Sequence, residues 1–356
     1  MKNREILSCM LSVSGFTLTD DEKFLLSKSN PLGITLFKRN INTKEQVKNL
    51  IKSIKDVIGR DDVLIATDQE GGRVCRFSEP EWNGYLSQGE LGSLSDDDGD
   101  ELLRLHAELI AQDLNELGVN WNYAPVLDVA YPHTTDALKS RVLSFDEKQV
   151  AKKGKILLET YSQNGICPCI KHLPGHGRAV VDPHLQLPVL TQSLQELEKD
   201  FFPFKSISQD AVAGMTAHIV ISAVDDKPIT QSKKAIDEII RKEIGFNGFL
   251  ISDAIDMKAL SGSLTQKVDG SLDAGCDAVC YCFGKVEEAE EVINASKPLT
   301  DKAYQRFEKI KSLINQKVVF TDKEKKYNRY LQLAQKTKKI HSDYDAVEIL
   351  HQMENS

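Results

Sequence analysis

Ionisable side chains that could carry out acid–base or nucleophilic chemistry are concentrated in the segment KHLPGHGRAVVDPH, residues 171–184, which contains three histidines. The two glycines and two prolines of this segment are typical of a loop, and the apolar run 165–170 before it predicts a short buried strand. The cluster is therefore predicted to lie where a strand ends and a loop begins. Catalytic groups collect at such positions in α/β proteins.

Asp182 and His184 are two positions apart in this loop. An aspartate beside a histidine orients the imidazole and raises its pKa, which suits a general acid/base. Two other interpretations remain open. Pro183 could simply fix a turn between two ordinary loop residues. His172 and His176 could also join His184 as metal ligands, although the chain has no HxH pair or HExxH run to favour a metal.

Asp253 follows the apolar run 249–252 and is a candidate nucleophile for an acetal carbon, or else the N-cap of a helix. The segment 68–76, DQEGGRVCR, places carboxylates and guanidinium groups around two glycines. These groups could grip hydroxyls or an amide, or Asp68 could form an internal pair with an arginine. Arg141 on its own is predicted to be solvated. Three further histidines are predicted to lie on the surfaces of helices and are assigned no role: His106, His341 and His351.

Short apolar runs alternate with amphipathic stretches, which predicts strands joined by helices and a parallel sheet. The predicted strands are 6–13, 33–37, 63–67, 121–126, 167–170, 212–217, 249–252 and 278–282, and predicted helices include 43–58, 99–118, 147–164 and 233–244. Eight repeats suggest a single-domain (β/α)₈ TIM-type barrel over 1–320. The charged segment 321–356 is predicted to be a helical extension that packs as outer helices or trails the barrel.

Polar groups stand at the carboxyl ends of most of these predicted strands, namely Arg39, Asn40, Asp68, Asp128, Lys171, His172, His218 and Asp253. In a barrel these ends converge on one face. Residues that are far apart in the chain are therefore predicted to line one pocket.

Composition restricts the possible partners and compartment. The net charge is −8 over 356 residues, which argues against nucleic acid or an anionic membrane as a partner. No apolar run has the ~18 residues of a membrane span. The seven cysteines form no CxxC pair and lie mostly in apolar runs, which fits a reducing compartment. Glu5 interrupts the basic N-terminus, so the apolar run after it is predicted to be a first strand rather than a signal peptide, and the protein is predicted to be cytoplasmic.

Four motifs occur in the order known from one family of enzymes. They are DQEGGRVCR at 68–76, NYAPVLD at 122–128, KHLPGHG at 171–177 with DPH at 182–184, and SDA at 252–254. Together they resemble the glycoside hydrolase family 3 β-N-acetylglucosaminidases of the peptidoglycan-recycling, NagZ-type branch, over about residues 33–285. The chain departs from that pattern at Leu173 for an aromatic residue, at Pro183 for serine, at Ala254 for aspartate, and at 141–144, where only Arg141 is retained.

The resemblance implies a retaining glycosidase that needs neither cofactor nor metal. Asp253 would be the nucleophile, and His184, held by Asp182, would be the acid/base. The remaining matched residues would hold the N-acetylglucosamine: Asp68, Arg76, Arg141, Lys171 and His172. The implied substrates are N-acetylglucosaminides from cytoplasmic muropeptides, and the protein is expected to be a monomer. Two alternatives remain: a metal-dependent amidohydrolase-type barrel, or a catalytically degenerate barrel that binds amino sugars.

Overall fold

The computed structural model describes residues 5–182 and 185–340. Within these residues, eight parallel strands close into a barrel in which neighbours in the chain are neighbours in the sheet. The barrel strands are β1 Leu7–Leu11, β2 Pro31–Leu36, β3 Leu64–Thr67, β4 Trp121–Asn122, β5 Cys167–Leu173, β6 Ala213–Thr216, β7 Phe249–Ala254 and β8 Ala278–Cys280. The predicted TIM-type barrel and its predicted strands are confirmed.

Alternation along the strands divides the apolar side chains between two clusters. Residues such as Met10, Leu64 and Phe249 belong to a cluster inside the barrel, which Phe307 of a later helix joins. Their neighbours in the same strands, such as Ile65, pack outward against the helices. Because successive strand residues face opposite sides, a strand buried on both faces reads as a continuous apolar run.

Helices connect the strands and cover the outside of the barrel. Their bounds are α1 Asp20–Lys28, α2 Lys44–Ile58, α3 Gln88–Gly92, α4 Asp97–Leu117, α5 Asp136–Lys139, α6 Glu147–Gln163, α7 Leu194–Ile207, α8 Lys233–Ala235, α9 Leu264–Ala274, α10 Val286–Ala295, α11 Asp301–Ile314 and α12 Lys323–Ala334. The helix predicted over 233–244 begins as α8 and continues as a π-helical segment, Ile236–Glu243. Capping side chains fix several helix starts, as Thr43 does for α2 and Asp96 for α4.

Two strand bounds differ from prediction in ways that matter for the site. β4 ends at Asn122 rather than at 126, because the Ala124 N–H turns back to the Asn122 carbonyl oxygen, 2.8 Å away, instead of donating to a neighbouring strand. β5 runs past 170 to Leu173. Lys171 and His172 therefore lie on the last residues of a strand, not in the following loop as predicted.

The C-terminal part of the described chain packs on the barrel through α12, which lies against α4. The seven cysteines are free thiols, most of them buried. Across residues 5–182 and 185–340, no helix combines the length and apolar character that crossing a membrane requires.

Candidate active site

One cleft opens at the carboxyl ends of the barrel strands and encloses about 1040 Å³ out to its mouth. It is lined by every predicted site residue that the structure describes: Asp68, Arg76, Arg141, Lys171, His172, Asp182 and Asp253. His184, the predicted acid/base, and Pro183 beside it lie outside the described residues. Of the strand-end groups expected to line one pocket, five do so and three are not in its lining; the five are Asp68, Lys171, His172, His218 and Asp253, and the three are Arg39, Asn40 and Asp128.

Asp68, at the end of β3, binds two cations in the wall of the cleft. Its carboxylate lies 2.9 Å from Lys171 Nζ and 3.1 Å from Arg76 Nη2. Burial alone would raise the pKa of Asp68, but the charges of Lys171 and Arg76 outweigh it and hold the pKa well below its usual range. The internal Asp–Arg pair considered above thus exists and also lines the cleft.

Glu70 is the buried partner behind this wall. Its carboxylate accepts two hydrogen bonds from the Arg141 guanidinium, both 2.8 Å, and Lys171 Nζ lies 2.6 Å away. Burial opposes ionisation, yet Arg141 and Lys171 lower the pKa of Glu70 to about 2. We call Asp68, Glu70, Arg141 and Lys171 the Glu70 cluster. Arg141 on its own was predicted to be solvated. It is instead held in the cleft by its two hydrogen bonds to Glu70.

The local backbone explains how Glu70 reaches this position. Gln69–Gly71 and Val74–Cys75 form a small antiparallel hairpin after β3. Gly71 has φ 102°, and a Cβ there would lie 2.1 Å from the Leu86 carbonyl oxygen. Only glycine accommodates this backbone conformation and this close approach.

Asp128 forms hydrogen bonds with His172 and His176, the first two histidines of the segment 171–184. Its Oδ2 lies 2.7 Å from His172 Nδ1, and its Oδ1 accepts from the His176 backbone N–H at 2.6 Å. Desolvation works against the charge, but His172 and His176 lower the pKa of Asp128. An ionised Asp128 makes His172 Nδ1 the donor, which fixes the orientation of the ring. Asp128 was noted as a strand-end residue but assigned no role, because sequence spacing does not reveal this contact.

Asp253 lies on β7 and lines the cleft, with its Oδ1 accepting from the Ala254 backbone N–H at 2.8 Å. The N-cap interpretation was wrong, because the next helix, α9, begins at Leu264 and is capped by Ser263. The strand end is supported by His218, whose Nε2 lies 2.9 Å from the Ala254 carbonyl oxygen. Asp253 therefore lines the cleft and does not cap a helix.

Two other histidines complete the description. His176 lines the cleft, and burial lowers its pKa to about 4, so the ring is neutral. His106 was predicted to be on a helix surface, and this is wrong: it lies on the buried side of α4 next to Tyr330 of α12, with Nε2 3.0 Å from the Glu70 carbonyl oxygen. His341 and His351 lie outside the described residues.

Among the residues that the structure describes, no group of three or more His, Cys, Asp or Glu side chains is arranged to hold a metal ion. His172 in particular uses Nδ1 for Asp128. What the cleft offers instead is a carboxylate, Asp253, together with paired cations and carboxylates. Charged donors and acceptors of this kind bind sugar hydroxyls and amides directionally.

Comparison with known proteins gives consistent results. The family model described as "Glycosyl hydrolase family 3 N terminal domain" matches residues 4–313. The chain is 34% identical over 281 residues to a beta-hexosaminidase of Neisseria gonorrhoeae, covering 77% of each protein. The crystal structure of native NagZ from Neisseria gonorrhoeae matches with a TM-score of 0.81 and 29% identity, covering 93% of this chain and 98% of that one. A structure of that protein in complex with N-trifluoroacetyl-D-glucosamine matches with the same TM-score, identity and coverage.

Proposed function

Because the chain belongs to glycosyl hydrolase family 3, we propose that it removes terminal non-reducing β-linked N-acetylglucosamine from muropeptide fragments with retention of configuration. That it is a glycosidase of the β-hexosaminidase type follows from its relatives, and the resemblance to family 3 β-N-acetylglucosaminidases is confirmed. The observation that carries the finer proposal is that Asp253 lines one cleft together with Asp68, Arg141 and Lys171 of the Glu70 cluster.

Asp253 is the proposed nucleophile. Its carboxylate attacks the anomeric carbon, and the bond to the leaving oxygen breaks to give a covalent glycosyl-enzyme. Its position on the last residues of β7, inside the cleft and outside any helix cap, supports this role. Lys171 and Arg76 line the same cleft as this carboxylate.

Asp182 and His184 are the proposed acid/base dyad. His184 protonates the leaving oxygen in the first step and takes a proton from water in the second, while Asp182 orients its ring. Asp182 lines the cleft, which is what this role requires. A histidine in place of the usual carboxylic acid suits a site that already contains several carboxylates, because it adds no further negative charge.

The sugar itself is assigned to the members of the Glu70 cluster that line the cleft, Asp68, Arg141 and Lys171, together with Arg76 and His172. The cluster contains two ionised carboxylates and two cations, and Arg76 adds a third cation; short mutual bonds fix the positions of all these groups. Because these groups are already held in place, binding a sugar hydroxyl costs little side-chain conformational entropy. The complex of the Neisseria gonorrhoeae NagZ with an N-acylglucosamine supports N-acetylglucosamine as the sugar bound here. The muropeptide leaving group, the cytoplasmic location and the monomeric state are proposed from the resemblance.

The test compares wild type, Asp253→Ala and His184→Ala on a chromogenic N-acetyl-β-glucosaminide and on an N-acetylglucosaminyl-anhydromuropeptide. Asp253→Ala is expected to abolish turnover of both substrates. His184→Ala is expected to impair the muropeptide far more than the activated chromogenic substrate, because only a poor leaving group needs protonation. The control is Asp237→Ala, whose carboxylate pairs with Lys233 on the surface, and it should match wild type.

Four outcomes would contradict the proposal. Equal activity of wild type and Asp253→Ala would show that Asp253 is not the nucleophile. Loss of wild-type activity on chelation would favour a metal-dependent hydrolase. Binding of N-acetylglucosamine without any turnover would identify a binding protein. Proton NMR of the first product should detect the β-anomer, and an initial α-anomer would refute retention.

A further inference from the structure

The C-terminal helix α12 is held on α4 by a series of ion pairs. Lys323 Nζ lies 2.7 Å from Asp113, and Arg329 Nη2 lies 2.6 Å from Glu101. In the middle of this contact Tyr330 is completely buried, at 1% exposure. A large polar side chain buried this deeply needs partners for its hydroxyl.

Those partners lead toward the cleft. Tyr330 Oη accepts from the Leu86 backbone N–H at 2.7 Å and lies 3.4 Å from His106 Nδ1. On its other side, His106 Nε2 lies 3.0 Å from the Glu70 carbonyl oxygen. Since a carbonyl only accepts, Nε2 carries the proton and Nδ1 faces the tyrosine hydroxyl as an acceptor. Burial lowers the pKa of His106 to about 4, so this arrangement keeps one protonation state at neutral pH.

The hairpin that carries Glu70 is packed against Leu86 and His106. A Cβ at Gly71 would lie 2.1 Å from the Leu86 carbonyl oxygen and 2.8 Å from His106 Cε1. Little space is therefore left between the hairpin and its support. A shift of His106 or Leu86 moves the Glu70 backbone, and the short bonds of the Glu70 carboxylate carry that shift to Arg141 and Lys171.

We propose that Tyr330 and His106 are positioning residues for the proposed sugar site, through hydrogen bonds that run from α12 to the Glu70 backbone. The C-terminal helix then belongs to the machinery of the cleft, although it contributes no group to the cleft wall. The proposal rests on the sugar-binding role given above to the Glu70 cluster. It assigns to α12 a function that no motif of the barrel predicts.

The variants separate positioning from mere stability. Tyr330→Phe removes the hydroxyl, and His106→Leu removes both ring nitrogens. His106→Gln keeps an N–H that can reach the Glu70 carbonyl. The matched control is Tyr327→Phe, a neighbouring tyrosine of α12 that stacks on Tyr330 and whose hydroxyl bonds the Gly84 carbonyl at 3.3 Å.

Steady-state kinetics and thermal melting are measured for all four variants. Tyr330→Phe and His106→Leu are expected to raise KM about tenfold with a smaller change in kcat, because a displacement well under 1 Å at a binding group has such an effect. His106→Gln should restore most of the wild-type KM. Tyr327→Phe should keep the wild-type KM whatever its Tm. A KM that follows Tm across all variants, or that changes in none, overturns the proposal.

A second measurement does not depend on turnover or on the sugar. Hydrogen exchange of the peptide covering residues 69–76 should be faster in Tyr330→Phe than in wild type, and unchanged in Tyr327→Phe. If wild type proves to have no glycosidase activity, the proposed function fails, yet faster exchange still supports the connection from α12 to Glu70. Equal exchange in wild type and Tyr330→Phe refutes that connection whatever the activity.

Discussion

Replacing Glu70 by glutamine tests whether the Glu70 cluster is ionised and how much it contributes to stability. The variant keeps the shape of the side chain and one carbonyl acceptor but removes the charge that faces Arg141 and Lys171. Both cations then lose a carboxylate at 2.8 Å and 2.6 Å, respectively. Removing one partner of a buried ion pair is strongly destabilising, since the other charge stays desolvated.

The size of the effect follows from the pKa. Burial raises the pKa of Glu70, but Arg141 and Lys171 more than compensate and lower it from 4.5 to about 2. At about 1.4 kcal/mol per pKa unit, the ionised carboxylate contributes about 3 kcal/mol to the free energy of unfolding at pH 7. The folded pKa is the lower one, so this contribution is present above pH 4.5 and is lost as the pH falls toward 2.

Urea unfolding at pH 7 and at pH 4, followed by tryptophan fluorescence, measures this contribution. Glu70→Gln is expected to be about 3 kcal/mol less stable than wild type at pH 7, with the difference about 1 kcal/mol smaller at pH 4. KM should also rise, because Arg141 and Lys171 are no longer fixed.

The matched control is Glu101→Gln. Glu101 makes the same two-bond contact with Arg329, at 2.9 and 2.6 Å, but on the surface, where water screens the charges. This variant should unfold almost like wild type at both pH values. Equal destabilisation in the two variants, or a Glu70→Gln difference that does not change between pH 7 and pH 4, would refute the reasoning.

Two further predictions concern Asp256, which lines the cleft, and Gly177 in the loop after β5. Burial raises the pKa of Asp256 from 3.8 to about 7, so the folded protein holds a proton that the unfolded chain releases, and stability should fall as pH rises from about 4 to about 7. Asp256→Asn cannot ionise, and its Tm relative to wild type should therefore increase from pH 5 to pH 8; a constant difference would contradict the raised pKa. A Cβ at Gly177 would lie 1.8 Å from the Val129 carbonyl oxygen, whereas one at Gly15 would meet nothing within 4 Å. Gly177→Ala should therefore lose soluble yield and Tm while Gly15→Ala keeps both, and similar melting curves for the two variants would show that the backbone at 177 adjusts freely.

The sequence predicted the barrel because strands and helices leave different periodicities in the chain. Each of the predicted strands is present, and errors were confined to their ends. The extension of β5 to Leu173 was missed because Pro174 and Gly175 suggested that the loop began at Lys171. The shortening of β4 was missed because the apolar run continues past Asn122, whereas the backbone turns there, with the Ala124 N–H bonded to the Asn122 carbonyl oxygen.

The residues of the candidate site could also be predicted, since polar groups after buried strands must meet at one end of a barrel. Their pairing could not. Asp128 and His106 received no role from the sequence, and Glu70 was considered only as one of the carboxylates of the segment 68–76. Asp128 holds His172 in place, His106 holds the hairpin of residues 69–75, and Glu70 holds Arg141. Their partners lie 36 to 71 positions away in the chain.

The sequence alone therefore determined the fold class, the family resemblance and the set of strand-end groups, because these depend on local periodicity and on motifs. Only the tertiary structure decided which charges neutralise one another, that Asp253 is not a helix cap, and that α12 touches the support of Glu70. The physical reason is that hydrogen bonds and ion pairs act over about 3 Å. Whether two distant residues come that close depends on how the helices and strands pack.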